Sequence, residues 1–461
     1  MELFQQMKLA TSFFFIISLF NFLSYSLFAQ DAHYWSQTYG TRSTLLGGAV
    51  IGSVDDLGAT FYNPGKLSLT DDPNFLFSAR IFEYNNISIT PEKGLGEGIS
   101  KQSFRPSPGF VVANLTGEWL GKSRLAFSFL TRQTFNTRLK TRFVGELDMK
   151  SVSNEILFEG DSDELWGGIT WSYPFKGEYE VGIGITNYVA VRTYRTRNSV
   201  NIQVVDTSNN VGQLSGIREF DYYNVRLLWK AGIGFTFESI KFGLTITTPS
   251  LNLFGSGETD INLNSIGIDA GGNLSPDDFL ISDFQKDLPS IYKSSLAIGF
   301  GAYYKFIDFK LHFAAEYYSN VDEFNVLTSN EFQSQTGGYT LTNHLTHALN
   351  PVLNLGFGFE YYISKKFTAF GGFVTDFSAL NTSVKTNHSI SSWNIYHLTG
   401  GGSLSYEKLE ITFGLSLGLA NDDLSIPLVP LSPSDEINIY FQQQSTKFSS
   451  LRLKFIFGLT F

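Results

Sequence analysis

The feature that most constrains how this chain can fold is a regular alternation of apolar and polar residues, repeated along most of the sequence. In the last segment one row is entirely apolar: Leu451, Leu453, Phe455, Phe457, Leu459 and Phe461. The residues between them are mostly polar or small, and the same pattern recurs in 225–238, 307–318, 353–362 and 409–419. Because successive side chains of a β-strand point to opposite faces, each segment is predicted to be a strand with one apolar face.

Two architectures use such strands. In a water-soluble sandwich the apolar rows of two sheets face each other and the polar rows face water. In a membrane barrel the apolar rows face lipid and the polar rows line the interior. Here the apolar rows contain about five or six residues, which matches strands of about nine to eleven residues that cross a bilayer at a tilt. The other rows mix glycine and charge with further aromatic residues, so the barrel is favoured.

The alternating blocks predict an all-β fold, a fourteen-stranded antiparallel transmembrane β-barrel. The predicted strands are 73–90, 108–116, 122–143, 151–173, 178–204, 219–238, 240–250, 294–304, 307–319, 351–363, 366–378, 395–406, 409–419 and 446–461. Short turns interleave with long links near 91–107, 205–218, 251–293, 320–350, 379–394 and 420–445. Short turns on one side and long loops on the other are typical of outer-membrane barrels. A last strand that ends in Phe461 also resembles the C-terminal recognition signal of such barrels.

Composition excludes several classes of protein. The 461 residues include no Cys, which rules out disulfides, thiolate metal sites, a catalytic thiol and a lipid-bearing cysteine. The formal net charge is −10, from 33 basic and 43 acidic residues, whereas nucleic-acid binders normally carry a basic excess. We therefore expect no nucleic-acid partner.

Residues 1–29 are predicted to be a secretory signal peptide. One positive charge, Lys8, precedes a short apolar centre, and Ala29 offers a small residue for cleavage. The alternative is an uncleaved anchor helix, which is disfavoured because the stretch is short and interrupted by polar residues. We expect export to the outer membrane of a Gram-negative type of cell.

Residues 30–72 do not alternate and are predicted to form a separate segment before the barrel, which occupies 73–461. The residues that stand out are the acidic pair Asp55 and Asp56 and the tripeptide Asn63, Pro64 and Gly65. Asn before Pro disfavours helix and Gly tolerates unusual backbone angles, so a tight turn is predicted at the tripeptide. Small residues of this segment are expected to let it lie against glycines of the wall: Gly182, Gly184, Gly232, Gly234, Gly356, Gly358, Gly414 and Gly418.

On these residues the chain resembles the FadL/TodX family of outer-membrane transporters for hydrophobic compounds. In that family the N-terminal segment forms a hatch, or plug, inside a fourteen-stranded barrel, with an Asn-Pro-Ala turn as its hallmark; here Gly65 stands in place of Ala. The resemblance implies a porin-like monomer in outer-membrane lipid that passively admits hydrophobic or amphipathic small molecules such as long-chain fatty acids. It implies no cofactor. The alternative is a FadL-like barrel that conducts nothing and holds a protein partner in a secretion or envelope assembly.

Candidate ligand-binding residues in the barrel are cations on inward rows. They include Arg192, Arg226 and Lys230, and also Arg132, Arg138, Lys140 and Arg142. Such cations would hold the carboxylate of an amphipathic ligand while aromatic residues, with Phe61 as a candidate, cover its tail. The alternative is that they only pair with acidic residues of the interior, such as Glu180, Glu238, Asp308, Glu316 and Glu360.

The longest predicted loop, 251–293, contains the segment 276–284, which is predicted to be a short amphipathic helix. Phe279, Leu280 and Phe284 in it are candidates for the first capture of ligand, as the resemblance implies for external loops, or for packing the loop onto the rim. The sequence contains no phosphate-binding loop with Lys, and no Ser/His/acid set stands out in it, so we expect no enzyme. His344 and His347 lack nearby carboxylate or Cys ligands, and no metal site is predicted.

Overall fold

The computed structural model describes residues 32–70, 75–78, 82–91, 99–105, 109–115, 117–147, 150–267, 278–381, 392–406, 409–424 and 446–460. The strands are β1 (Phe75–Ser78), β2 (Phe82–Pro91), β3 (Ile99–Arg105), β4 (Phe110–Leu115), β5 (Arg124–Leu147), β6 (Lys150–Lys176), β7 (Glu180–Val205), β8 (Val211–Phe237), β9 (Ile240–Thr247), β10 (Leu251–Ile266), β11 (Phe279–Pro289), β12 (Ala297–Lys305), β13 (Phe309–Tyr318), β14 (Val321–Leu327), β15 (Phe332–Gln333), β16 (Thr340–Leu341), β17 (Leu345–Leu349), β18 (Val352–Tyr362), β19 (Phe367–Asp376), β20 (Ile395–Tyr406), β21 (Leu409–Leu424) and β22 (Thr446–Thr460). The helices are α1 (Thr41–Leu45), α2 (Ala59–Tyr62) and 3₁₀ helices at Pro64–Leu69 and Glu118–Leu120. Among the described residues no helix has the length and apolar character needed to cross a membrane. The predicted signal peptide, 1–29, lies outside them.

Eighteen of the strands form one antiparallel barrel, and the pairs β14–β17 and β15–β16 form two small separate sheets. β1 and β2 pair with β4 and β3, respectively, so these four segments make the first hairpin. Pairing then runs in chain order from β4 to β8. β8 pairs with β9 along one part of its length and with β10 along another, so β9 and β10 together make one pass. β9 pairs with β12 and β10 pairs with β11, so β11 and β12 together make the next pass. The remaining passes are β13, β18, β19, β20, β21 and β22, and β22 pairs with β2. Pairing thus returns to the first hairpin after fourteen passes, which confirms the predicted barrel.

Some predicted loops are strands. β8 begins at Val211, so the predicted loop 205–218 shrinks to residues 206–210. β10 and β11 pair along much of the predicted loop 251–293. Extended strands therefore replace two of the predicted long loops.

The helix predicted at 276–284 is wrong in its described part, 278–284. Phe279, Leu280 and Phe284 all lie in β11, where Asp260 of β10 is the partner of Phe284. Asp278 accepts a hydrogen bond from the Gly267 amide at 2.7 Å and does not begin a helix. A helix of two turns is marginal in isolation, so the backbone hydrogen bonds offered by a neighbouring strand decide the outcome.

The apolar face changes sides along the long strands. In the first half of β7 the outward residues are apolar, as at Ile185 and Val191. Further along, the outward residues are polar, as at Arg195, and the buried residues of the opposite row become apolar, as at Val200 and Val204. The predicted strand 178–204 covers nearly all of β7, but a search for one continuous apolar row can end where the row inverts, and the strand predicted from 219 misses the first eight residues of β8.

The segment before the barrel packs inside it as a hatch. Its fully buried leucines join side chains of the wall in one core: Leu45, Leu46, Leu57 and Leu67 with Phe110, Leu130, Tyr188 and Leu228. A second core forms where β14 and β17, which pair with each other, pack against Tyr222 of β8 and Tyr292 of the link between β11 and β12. The interior is therefore filled by two layers, the hatch and the segment between β13 and β18.

Candidate functional site

The hatch is attached to the wall through Asn63. This residue is fully buried and extended, and its side-chain amide donates to the carbonyl oxygens of Ile51 and Ile233, both at 3.0 Å. Its side-chain oxygen accepts a hydrogen bond from the Gly65 amide at 3.0 Å. Pro64 begins a 3₁₀ helix, where its missing N–H breaks no hydrogen bond. The tripeptide joins two parts of the hatch to β8 and is not a surface turn.

Gly65 is required for space. A Cβ atom there would lie 2.5 Å from the Gly232 oxygen and 2.6 Å from the Gly182 oxygen. Gly65 is absent from the glycines with positive φ, so the prediction that it supplies an unusual backbone angle is wrong. The predicted contact between wall glycines and the hatch is confirmed at Gly182, Gly184, Gly232, Gly234, Gly356, Gly358 and Gly414. Gly418 instead faces His397 and Arg452 of the wall.

A second attachment is ionic. Arg42 of the hatch forms ion pairs with Asp55, at 2.7 Å, and with Glu360 of β18. Glu360 is also close to two groups of β13, Lys310 at 2.9 Å and His312 at 3.1 Å. The other ring nitrogen of His312 lies 2.7 Å from Ser53 Oγ of the hatch. Side-chain polar groups hold the hatch here, whereas close backbone contact holds it at Gly65.

Two hatch residues have perturbed pKa values. Burial, followed by the neighbouring Asp55, raises the pKa of Asp56 to about 6, although Asp56 accepts a hydrogen bond from the Gly58 amide. Burial, followed by Lys241, lowers the pKa of Lys66 to about 7. Lys66 Nζ donates to the Phe235 oxygen at 3.1 Å and to Thr236 Oγ1 at 3.0 Å.

A cavity of about 60 Å³ lies between the hatch and the second interior layer. Its aromatic lining is Tyr34, Phe61, Trp166, Tyr292 and Tyr318, and its charged lining is Arg132, Glu164, Arg226, Lys230, Lys293 and Glu316. An apolar cavity of about 150 Å³ binds benzene. The cavity seen here is smaller, so entry of an aromatic ring requires displacement of a lining group such as Phe61.

The three predicted cations Arg192, Arg226 and Lys230 are buried beside this cavity. Arg192 and Arg226 share Glu164, at 3.2 and 2.7 Å, and both guanidinium carbons lie 4.5 Å from the centre of the Tyr292 ring. Arg226 and Lys230 line the cavity directly.

Lys230 Nζ lies 3.4 Å from Glu316 Oε1, one of the interior acids named as a possible partner from the sequence. Arg132 donates to the Tyr34 carbonyl oxygen at 2.7 Å and lies over the Phe61 and Trp166 rings. The buried cluster thus has four cations for two carboxylates: Arg132, Arg192, Arg226 and Lys230 with Glu164 and Glu316. Glu164, which the sequence did not single out, is the central acid of the site.

The prediction that Arg138, Lys140 and Arg142 face inward is wrong. Thr131 pairs with Leu165 and Gln133 with Glu164, so Arg132 is an extra residue in a β-bulge. An extra residue reverses the faces of all residues that follow it. Arg132 is buried, and Arg138, Lys140 and Arg142 are exposed.

The other candidates lie outside the cavity. Leu280 and Phe284 are exposed on β11, and Phe279 packs in a core with Ile281. His347 is fully buried with its ring 5.6 Å from that of Tyr292, and His344 Nδ1 accepts a hydrogen bond from the Ser329 amide. Within the described part of the chain no three potential metal ligands come together.

The chain is similar in fold to a solved FadL homologue and to solved TodX structures. A FadL homologue from Pseudomonas aeruginosa is 12% identical, with 93% of this chain and 99% of that chain covered and a TM-score of 0.56. The toluene transporter TodX of P. putida is 11% identical, with 92% and 98% covered and a TM-score of 0.54. A deletion mutant of the TodX monoaromatic hydrocarbon channel is 14% identical, with 92% and 99% covered and a TM-score of 0.56. No protein-family model matches the sequence, and no curated protein sequence matches it. At these identities the likeness shows a shared barrel fold.

Proposed function

We propose that this chain is an outer-membrane channel of the FadL/TodX type that passively admits hydrophobic or amphipathic small molecules. The observation that carries the proposal is the central cavity, in which aromatic rings and excess buried cations meet above the hatch. Such a lining suits a ligand with an apolar body and an anionic head, because rings cover the former and guanidinium groups bind the latter.

The outer surface supports placement in a membrane. On β7 the apolar outward row runs from Val181 to Val191, with Asn187 as its one polar member. Ten residues span about 33 Å along a strand, which at a tilt of about 45° gives a height of about 25 Å. This is the height of the apolar band of outer-membrane barrels. Residues 1–29 then serve as the export signal.

Long-chain fatty acids are the proposed ligand class, with Arg226 and Lys230 at the carboxylate. Either cation can be replaced while its acidic partner keeps other contacts. Glu164 keeps its ion pair with Arg192, and Glu316 keeps the hydrogen bonds donated by Trp35 and Tyr318. The solved transporters of similar fold carry toluene and other monoaromatic hydrocarbons, so a neutral aromatic compound is the natural comparison ligand.

The test is uptake by a strain that lacks the protein and by its complemented version, with a labelled long-chain fatty acid and with toluene. Complementation is expected to restore uptake. The double variant Arg226→Gln/Lys230→Gln is expected to lose fatty-acid uptake and to keep uptake of toluene, and the exposed Lys286→Gln serves as control. Unchanged uptake of both compounds on deletion would refute transport.

We further propose that the channel is a monomer without cofactor or enzymatic activity. The rival role, a barrel that holds a protein partner in a secretion assembly, predicts a stoichiometric protein on gentle extraction. Transport predicts bound lipid in its place. Mass analysis of the extracted complex separates these two outcomes.

A further inference from the structure

Two rows of alternating charge cross the outer face of strands β5–β8. Strand register places the members of each row side by side. One row is Arg138, Glu159, Arg197 and Glu219, and the next is Asp161, Arg195 and Asp221. Opposite charges on adjacent strands stabilise the pairing.

These rows lie just beyond the apolar belt. On β6 the last apolar outward residue before them is Leu165, four positions from Asp161, and on β7 it is Val191, four positions from Arg195. Four residues span about 13 Å along a strand, or about 9 Å of height at a tilt of about 45°. The head-group layer on each side of a bilayer is about 5–8 Å thick. The nearer charged row therefore lies just beyond the head-group layer, and its long arginine side chain can reach back into that layer.

The arginines of these rows are held by one end only. Each guanidinium contacts its carboxylate through Nε: Arg138 with Glu159 at 2.8 Å, Arg195 with Asp221 at 3.5 Å and Arg197 with Glu219 at 3.0 Å. Their side chains are 61%, 67% and 45% exposed, respectively. The carboxylates thus orient the guanidinium groups and leave the terminal Nη groups to a ligand. Planar N–H pairs of this kind match the oxygens of a phosphate.

The three arginines line one open cleft of about 490 Å³. Asn136 and Thr137 add polar groups to its lining. Glu159, Asp161 and Glu219 also line it, so the cleft offers as many carboxylates as guanidinium groups. A ligand that carries phosphate together with divalent counter-ions satisfies both kinds of group, because carboxylates bind hard divalent cations.

We propose that this cleft binds the phosphorylated head group of a membrane lipid and its divalent counter-ions on the outer wall of the barrel. The proposal rests on the membrane placement given above and not on transport. A lipid is favoured over a soluble phosphate compound because the cleft lies only four residues along β6 and β7 from the apolar belt, where acyl chains would lie.

The test uses the full protein purified in detergent, with a bisphosphorylated glycolipid as the probe and binding read by native mass spectrometry with Mg²⁺ present. The triple variant Arg138→Gln/Arg195→Gln/Arg197→Gln is expected to bind the lipid at least tenfold more weakly. Chelation of Mg²⁺ is expected to weaken binding by the unchanged protein. The control Lys122→Gln/Lys286→Gln/Lys365→Gln removes the same charge from exposed lysines elsewhere. Its affinity is expected to match that of the unchanged protein.

Two further arms identify the ligand. The dephosphorylated glycolipid is expected to bind as weakly as the triple variant binds the intact lipid. Inorganic phosphate is expected not to compete at the lipid's concentration. Equal lipid binding by the triple variant, or full competition by inorganic phosphate, would overturn the proposal. Heat-dependent mobility in gels verifies that each variant keeps its folded barrel. Fatty-acid uptake by the triple variant is measured as well, so that failure of the lipid-binding proposal is distinguished from failure of the transport proposal.

Discussion

Replacement of Gly65 by Ala gives the sharpest test of how the hatch is held. This change creates the Asn-Pro-Ala sequence that is the hallmark of the resembled family. In this protein the added Cβ atom would lie 2.5 Å from the Gly232 oxygen, whereas ordinary contacts begin near 3.4 Å. Backbone occupies that space, so the hatch has to move by about 1 Å to restore a normal contact.

Such a movement breaks more than one interaction. Overpacking of this size costs about 1–3 kcal/mol. The displacement also strains the three buried hydrogen bonds of Asn63, and loss of one buried partner costs about 1–3 kcal/mol. We expect Gly65→Ala to weaken hatch attachment by about 2–6 kcal/mol in total. At about 1.4 kcal/mol per factor of ten, even the lower limit is roughly a 25-fold rise in the open fraction.

The absence of Cys from the chain provides a clean assay. Ser68→Cys places one thiol in the buried 3₁₀ helix that follows Gly65, and its rate of modification by a soluble thiol reagent reports hatch opening. The rate should rise at least tenfold when Gly65→Ala is added. Gly400→Ala is the matched control, because its Cβ would have no neighbour closer than 4.0 Å. Equal labelling rates with and without Gly65→Ala would refute the close-packing explanation.

Three further predictions concern charge. Glu164→Gln removes the shared partner of the buried Arg192 and Arg226, and we expect it to destabilise the barrel by about 3–5 kcal/mol in denaturant unfolding, whereas the exposed Glu178→Gln leaves the midpoint unchanged. Glu360→Gln removes the ionic attachment of Arg42, so a thiol at Ser53→Cys should react faster, and the Ser68→Cys rate should change less because the glycine contacts persist. Hatch stability should fall between about pH 4 and 6, because the folded state raises the pKa of Asp56 to about 6 and so favours the protonated acid. It should rise again from about pH 7 towards 10, because the folded state lowers the pKa of Lys66 to about 7 and so favours the neutral amine. The labelling rate of Ser68→Cys, divided at each pH by that of an exposed variant such as Glu178→Cys to remove the change in thiolate fraction, should therefore be highest near pH 6–7. Asp56→Asn should abolish the acid limb; a flat profile of this ratio contradicts both assignments.

Much of the site could be named from the sequence, including Glu316, but not Glu164 and not which cation pairs with which acid. Whether a side chain points into the barrel follows from its odd or even position along one strand. Arg226 and Lys230 were identified as inward residues in this way. Their partners, Glu164 and Glu316, lie on other strands, and strand register is set by packing across the barrel. The bulge at Arg132 shows the same limit, because one extra residue placed three predicted luminal cations on the outer face.

The boundaries of the strands had a related cause of error. Beyond the belt, water replaces lipid outside and a packed interior layer replaces the polar lumen, so the apolar row moves to the opposite parity. Nothing in the local sequence pattern shows that the same strand continues beyond this change. β10 and β11 were therefore predicted as a loop with a helix in it.

The sequence by itself determined the number of passes through the barrel wall, their antiparallel order and the existence of a separate segment before them. Period-two alternation is a local property, and fourteen repeats of it leave few ways to bury the apolar rows. Only the tertiary structure decided how the hatch is held, which acids neutralise the interior and which cations face the outside. Each of these depends on atoms brought together from distant strands, and no spacing along the chain encodes those distances.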